Sequence, residues 1–386
     1  MNEQLSGDEL NALIRSVFSI GPRDKRLAIL VDVPDATIPD NESWRERRII
    51  AAGWKNELDK TKASLNLESV DLVVYPNVHS NNADLPETVY TIGTISESVH
   101  ADDIAAMGIP HSLEGFLSTH QIILAPTEFS TTAPLKLLAR ELRFRAATMP
   151  GFSREMIPAL RLDYEEINRR VRAVKKELDS ATGMDIQFSV EGEKQVSIHF
   201  DLRFRLAHAS GGRFPEPGLA GNLPSGECYI VPYEGEKEEP SMSHGTLPVQ
   251  FENEIVIYRI EKNKAVEILS SGAYSKRERD KINEEPAYSN IAEIGFGILK
   301  DFGLKPIGKI LLDEKLGLHV AFGRSDHFGG AVGVKDFSAP DKVVHIDRIY
   351  IPETQSKVRA DHVILKFEDG PDRILMENGQ YCIQFK

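Results

Sequence analysis

The first third of the chain repeats one pattern, a short and compact apolar run that soon meets a proline. The runs are residues 27–31, 70–75 and 121–125, and the prolines are Pro34, Pro76 and Pro126. Such a run, bounded by a residue that cannot continue it, is typical of a strand buried on both faces, as in a parallel sheet. Helix-like stretches at 43–65 and 135–140 separate the runs, and residues 143–149 form a further strand-like segment. The alternation predicts an open α/β sheet.

A different pattern begins near residue 183. A long amphipathic stretch, 153–179, precedes the change, and Gly183 ends it as glycine often ends a helix. Beyond it, extended segments alternate with glycine and proline turns, and a single helix-like stretch, 289–302, interrupts them. The extended segments are residues 186–190, 196–206, 228–232, 254–261, 318–322, 343–350 and 363–367. The second part is therefore predicted to be rich in β-structure.

A chain of 386 residues is long for one hydrophobic core, so two domains are expected. The predicted fold combines α/β and α+β classes. An N-terminal open α/β sheet domain spans residues 1–182, and a β-rich C-terminal domain spans residues 183–386.

Charge and composition exclude several classes of function. The formal net charge is −13, which would repel nucleic acid and anionic membrane surfaces. Two cysteines cannot build a disulfide framework, and no CxxC pair is present for a zinc ribbon. The first residues lack the pattern of a signal peptide, and no apolar run has the ~18 residues that a membrane span needs. These observations predict a cytoplasmic protein that acts on a small molecule or a peptide.

Common catalytic motifs are absent from the sequence. It contains no GxxxxGK[ST] phosphate loop, no HExxH zinc helix and no GxSxG nucleophile elbow. Gly295-Phe296-Gly297 begins like a dinucleotide-binding fingerprint, but Lys300 stands where the third glycine belongs. We therefore reject that interpretation.

Histidines and carboxylates in the second part have informative surroundings. His345 and Asp347 are two residues apart in a strand-like segment, so both side chains point to one face. The pair suits a metal site, and equally a His–Asp hydrogen bond on a solvated face. His319 lies in an apolar segment bounded by glycines, where it is either a core residue or a ligand. Glu227 and Glu293 lie in apolar segments too, where an unpaired carboxylate would be costly to bury.

Taken together, these five residues predict a metal centre. Two histidines and an aspartate are a competent site for Zn²⁺, Co²⁺, Mn²⁺ or Fe²⁺. The two glutamates could bridge to a second cation or complete its site, and a two-cation centre is suited to amide hydrolysis.

The same residues carry a resemblance to the aminopeptidase T family of metallopeptidases. The resembling segments are residues 146–151 with Asp163-Tyr164, then 221–227, 293–297, 318–323 and 345–347. In that family the corresponding glutamates, histidine and HxD pair bind a cluster of two metals. The resemblance therefore implies that the metal ligands are Glu227, Glu293, His319, His345 and Asp347. It also implies a homodimer whose catalytic C-terminal domain accompanies an α/β N-terminal domain.

One departure from the family concerns a tyrosine. The peptidases have a metal-proximal tyrosine shortly after the histidine of the HxAxG segment, whereas residues 323–330 contain none. Asp326 or His327 is the expected substitute. The same superfamily contains 2,5-dihydroxypyridine dioxygenase, which uses one ferrous ion, so the resemblance leaves the reaction open.

Three hypotheses follow from the sequence. The leading one is a metal-dependent hydrolase that cleaves an N-terminal peptide or related amide bond with Zn²⁺, Co²⁺ or Mn²⁺. In this hypothesis Glu227 or Glu293 bridges the metals or carries the proton. The second is a ring-cleaving dioxygenase with one Fe(II), held by two histidines and a carboxylate. The third is a metal-binding protein without catalytic activity.

Overall fold

The computed structural model describes residues 4–385, which divide into two compact units. The N-terminal unit comprises the chain up to Asn168 together with Gly212–Ser225. The C-terminal unit comprises Arg169–Gly211 and the chain from Gly226 onward. The predicted domains, residues 1–182 and 183–386, stay a prediction.

The strands follow one another along the whole chain and become more frequent after residue 183. In chain order they are β1 Arg26–Val33, β2 Ser69–Pro76, β3 Thr88–Ile92, β4 Ile109–Ser112, β5 Ile122–Ala125, β6 Arg145–Thr148, β7 Gly183–Val190, β8 Lys194–Asp201, β9 His208–Ser210, β10 Ala220–Asn222, β11 Glu227–Ile230, β12 His244–Phe251, β13 Glu254–Glu261, β14 Lys264–Ile268, β15 Ile291–Gly297, β16 Leu318–Gly323, β17 His345–Ile349, β18 Val358–Lys366, β19 Arg373–Glu377 and β20 Gln380–Tyr381.

The helices are mostly short. They are α1 Gly7–Phe18, α2 Glu42–Thr61, α3 Ile104–Met107, α4 Leu113–Thr119, α5 Thr132–Leu142, α6 Ile157–Leu160, α7 Tyr164–Asp179, α8 Ala273–Glu284 and α9 Ile310–Asp313. Among residues 4–385, no helix combines the length and the apolar character that crossing a bilayer requires.

A seven-stranded sheet forms the core of the N-terminal unit. Its strand order is β10-β6-β5-β1-β2-β3-β4, and the strands from β10 to β2 run parallel, whereas β3 and β4 are antiparallel additions. The strand β1 lies in the middle and is buried from Leu27 to Val33. This burial on both faces explains its continuous apolar sequence. The predicted open α/β sheet is confirmed.

Two antiparallel sheets form the C-terminal unit. One has eight strands in the order β14-β13-β12-β8-β7-β18-β19-β20, and the other has five in the order β17-β16-β15-β11-β9. In the five-stranded sheet, the central strands β15 and β16 are buried along their whole length. The predicted β-rich second part is confirmed.

The helix predicted over residues 289–302 is wrong. Seven of these residues form the strand β15, which pairs with β11 on one side and with β16 on the other. Apolar Ile294 and Phe296 alternate with Glu293, Gly295 and Gly297, as the two faces of a strand require. Because an apolar run with interspersed glycines fits either period, the sheet partners decide the outcome here.

The long helix predicted over 153–179 is interrupted. The short helix α6 ends before Asp163, and α7 begins directly after it. The Asp163 carboxylate accepts hydrogen bonds from the backbone N–H groups of Glu165 and Glu166, at 2.9 and 3.2 Å. An aspartate in this position satisfies N–H groups that a new helix leaves without partners, so it marks a helix start.

Candidate metal centre

One face of the five-stranded sheet collects the ionisable residues predicted from the sequence. This face carries Glu293 and Gly295 on β15, and it carries His319 on β16. Gly295 lies opposite His319, while Ala321 and Gly323 of β16 lie opposite Asp347 and His345 of β17. Because side chains of paired residues share a face, antiparallel register alone brings these strands' donors together.

The fourth strand of the site is β11. Glu227 pairs with Gly297 of β15, and Tyr229, two residues further on, pairs with Gly295. Both side chains therefore lie on the same face as the histidines, while Cys228 points to the opposite face and is buried there.

Three donors form a first group. Single ligand atoms of Glu227, Glu293 and His319 lie within 4.8 Å of one another, and all three residues are buried. His319 Nε2 is 3.2 Å from Glu293 Oε1 and 3.7 Å from Glu227 Oε2. Glu227 Oε2 is buried and has no hydrogen-bond partner within the described chain. A buried carboxylate oxygen without a partner is costly, and a bound cation would remove that cost.

The other two predicted ligands form a second group around the same glutamate. His345 Nε2 lies 3.4 Å from Glu293 Oε2 and 3.5 Å from Asp347 Oδ1. The His345 Nδ1–H donates to the carbonyl oxygen of Arg324 at 2.8 Å. A histidine that donates its second ring N–H in this way presents the other nitrogen as a ligand. The structure thus brings all five predicted residues together.

Ionised groups balance one another in this cluster. Burial opposes charge on His319, but the hydrogen bond and attraction of Glu293 raise its pKa to about 9. Burial likewise opposes charge on Glu293, yet His319 and His345 hold the pKa of this carboxyl well below its usual range. The imidazolium groups thus neutralise the carboxylates. A divalent cation can take over this role because metal binding releases the protons of its ligands.

A buried ammonium group, which the sequence analysis did not single out, accompanies the centre. Lys315 Nζ donates to Glu227 Oε1 at 2.6 Å and also to Glu314, and its side chain is 1% exposed. Burial opposes the charge of Lys315, but the two glutamates raise its pKa above the usual range. The ammonium thus occupies one oxygen of Glu227 and leaves Oε2 facing the other donors. No local signal in the sequence marks Lys315, because charged residues just before an apolar strand are usually exposed.

Gly295 provides the space that the His319 ring needs. A Cβ atom at this position would lie 1.9 Å from His319 Nε2 and 2.1 Å from Cε1. The Gly295-Phe296-Gly297 segment, already rejected as a nucleotide-binding motif, therefore has a packing role beside the candidate metal ligands.

Asp326 and His327, the expected substitutes for the family tyrosine, lie in one exposed turn. The Asp326 carboxylate accepts a hydrogen bond from Arg324 Nε at 2.5 Å. The His327 ring stands edge-on to His345 with 5.5 Å between centroids. Their role as ligand or proton carrier stays a prediction.

A tyrosine is nevertheless present near the centre, supplied by another strand. Tyr229 occupies the position beside Gly295, and its ring centroid lies 4.7 Å from that of Phe328. Burial raises the pKa of the Tyr229 hydroxyl well above its usual value, and Glu293 and Glu227 add to this effect. Tyr229 was not predicted, because the family tyrosine is expected after His319 and Tyr229 precedes it in the sequence.

Comparisons with known proteins place the fold. No family model matches the sequence, and no curated protein matches it. Among solved structures, 2,5-dihydroxypyridine dioxygenase from Pseudomonas putida KT2440 superposes with a TM-score of 0.62 at 16% identity, covering 98% of this chain and 99% of that one. Wild-type AmpT, an aminopeptidase T from Thermus thermophilus, superposes with a TM-score of 0.54 at 14% identity, covering 98% of both chains. The chain therefore has the fold that these two enzymes share over their whole length.

Proposed function

We propose that the chain is a metal-dependent hydrolase whose centre holds two divalent cations. One observation carries the proposal: the two oxygens of Glu293 face different donor groups. Oε1 faces His319, and Oε2 faces His345. A carboxylate so placed is suited to bridge two cations.

The donor set fits two cations. Glu227, Glu293 and His319 would hold one, and Glu293, His345 and Asp347 would hold the other. Cations bound there would polarise a substrate carbonyl and lower the pKa of a bound water molecule. Carboxylate and imidazole donors suit Zn²⁺, Co²⁺ or Mn²⁺.

The glutamates have different roles in this proposal. Both oxygens of Glu293 are engaged with imidazoles, and Lys315 holds Oε1 of Glu227. Glu227 Oε2 is then the oxygen that this glutamate offers to a cation, so Glu227 would hold one cation while Glu293 lies between the two. The proposed substrate is a peptide or related amide with a free N-terminus, which agrees with the fold shared with an aminopeptidase.

Metal content and peptidase activity test the proposal. Protein purified without oxygen is analysed for metals, then stripped and titrated with Zn²⁺, Co²⁺ and Mn²⁺, and hydrolysis of aminoacyl p-nitroanilides is measured. We expect two ions per chain in the native protein. Glu293→Gln should bind no more than one ion and lose hydrolysis.

Glu278→Gln is the matched control. This glutamate is also buried, but it accepts hydrogen bonds from Tyr258 and Tyr288 rather than from the centre. It should keep both ions. A single ion per chain in the native protein, without hydrolysis under any of the metals, would refute the proposal.

A ring-cleaving dioxygenase with one ferrous ion is the second candidate. It is favoured by the superposition with 2,5-dihydroxypyridine dioxygenase, and by the two imidazoles and aspartate that a mononuclear ferrous site uses. One iron per chain, together with oxygen uptake in the presence of 2,5-dihydroxypyridine, would select this candidate over the hydrolase.

A further inference from the structure

Aromatic rings line one side of the candidate metal centre in the C-terminal unit. We call the set His208, Tyr229, His327 and Phe328 the aromatic wall. Tyr229 stacks on His208 with 5.2 Å between centroids, and Phe328 lies 4.7 Å from Tyr229. Phe328 in turn stands edge-on to the ligand His345 at 5.5 Å. The wall therefore begins at a metal-ligand residue and extends across two strands.

The wall is partly open to solvent. Tyr229 and Phe328 are half-buried, and His208 and His327 are exposed. Core aromatic residues of this unit, such as Tyr258 and Phe322, are fully buried. Half-exposed rings bury less area and stabilise the fold less, so packing alone is a poor explanation for four of them beside a polar centre.

A buried carboxylate anchors both ends of the loop that carries Phe328. Glu234 accepts hydrogen bonds from Ser325 Oγ and Asn290 Nδ2, both at 2.6 Å, and also from the backbone N–H of Ala331. Its side chain is only 4% exposed. Both ends of the 325–331 loop are thereby hydrogen-bonded to one buried group, which anchors the backbone on either side of Phe328.

We propose that the aromatic wall binds a planar ring of the substrate, while the metal centre holds a polar group attached to that ring or close to it. This inference rests on the proposed metal centre and holds for either candidate reaction. The ring is either the side chain of an aromatic N-terminal residue or a small aromatic molecule. Offset and edge-to-face ring pairs are attractive beyond the area that they bury, so the wall would select flat rings over puckered ones.

Hydroxamates test the wall because they chelate divalent metals whatever reaction the enzyme catalyses. Benzohydroxamate and cyclohexanecarbohydroxamate are similar in size, but only the first is flat, and acetohydroxamate has no ring. Their dissociation constants are measured on metal-loaded protein by calorimetry. We expect benzohydroxamate to bind about three- to tenfold more tightly than the cyclohexane compound.

Substitutions in the aromatic wall should remove the preference for benzohydroxamate over the cyclohexane compound without changing metal binding. In Phe328→Leu and Tyr229→Leu, the two cyclic compounds should bind within about twofold of each other, while metal content and acetohydroxamate affinity stay unchanged. Phe367→Leu is the control, since this half-buried ring contacts Arg373 in the other sheet of the unit. It should keep the preference.

Different failures have different meanings. If wild-type protein binds the two cyclic compounds with equal affinity, the aromatic wall does not select flat rings. A preference that survives in the Phe328→Leu, Tyr229→Leu double variant would contradict the proposed role of the wall as well. If the protein takes up no divalent ion, both the proposed metal centre and the proposed role of the aromatic wall are contradicted.

Two further comparisons identify the source of the ring. If it is a peptide side chain, Phe328→Leu should lower kcat/KM for phenylalanine p-nitroanilide more than for leucine p-nitroanilide. If it is a small molecule, the same variant should weaken binding of 2,5-dihydroxypyridine instead. An unchanged result in both comparisons rejects the proposal.

Discussion

Gly295→Ala is expected to disable the first donor group while leaving most of the fold in place. The backbone at residue 295 lies outside the left-handed region, so alanine meets no backbone strain there. The new Cβ would instead stand 1.9 Å from His319 Nε2, whereas ordinary van der Waals contact begins at 3.4 Å. The His319 ring must therefore move by about 1.5 Å, but ligand distances tolerate only about 0.2 Å.

The expected loss follows from that displacement. Removing a supporting contact from a metal ligand typically lowers affinity about 10- to 100-fold, and displacing the ligand itself should cost at least as much. Overpacking of a buried position adds about 1–3 kcal/mol of destabilisation. The His345 and Asp347 group should keep its affinity for one ion.

Calorimetric metal titration and denaturant unfolding measure the two effects. Gly93→Ala is the matched control because a Cβ there meets nothing within 4 Å. Its metal binding should equal that of wild type. If Gly295→Ala binds both ions with unchanged affinity, His319 is not a metal ligand packed over residue 295.

Three further predictions concern the groups around the centre and the core of the N-terminal unit. Lys315→Met leaves the buried carboxylates of Glu227 and Glu314 without their ammonium partner, and should destabilise the metal-free C-terminal unit by about 3–5 kcal/mol. A loss below about 1 kcal/mol in urea unfolding would contradict this ion pairing. Burial raises the pKa of Asp32 from 3.8 to about 6, so the folded chain holds this proton to higher pH than the unfolded chain does. The free energy of unfolding of the wild type should therefore fall by about 3 kcal/mol as pH rises from about 4 to about 6, because the buried Asp32 carboxyl loses its proton. The Asp32→Asn variant should lack this fall. Both tryptophans lie in the N-terminal unit, so their fluorescence reports its unfolding. If the stabilities of the wild type and of Asp32→Asn changed with pH in parallel, the raised pKa of Asp32 would be refuted. Glu234→Gln cannot accept all the hydrogen bonds of the 325–331 loop, so it should weaken benzohydroxamate binding and speed proteolysis of the loop at unchanged metal content; an intact loop with unaltered binding would contradict the anchoring role.

The predicted donors came from two local patterns, and the family resemblance assigned them together as metal ligands. Ionisable groups are costly to bury, so Glu227, Glu293 and His319 stood out because their neighbours in the sequence are apolar. The HxD pair needed only the two-residue period of a strand. These local patterns hold whatever the strand order, and the structure brings all five residues together on one sheet face.

Other parts of the site depend on contacts that no local pattern contains. Lys315 looked like an ordinary charged residue, since its partner Glu227 is 88 residues away in sequence. Tyr229 gained its position from the pairing of β11 with β15, and Phe328 from a loop held by Glu234. The strand β15 was predicted to be a helix because its sequence fits either period. The reason for its glycines is visible only in the fold, where they make room for the His319 ring and for the backbone near Lys315.

The proposed ring-binding residues and the candidate metal ligands lie on different parts of the C-terminal unit. The candidate donor atoms lie on paired strands, whereas the 325–331 loop is hydrogen-bonded at both ends to Glu234 and in its middle to Arg205. Substitutions in this loop therefore leave intact the strand register that brings the candidate ligands together, and those at His327 and Phe328 affect the centre through ring contacts with His345.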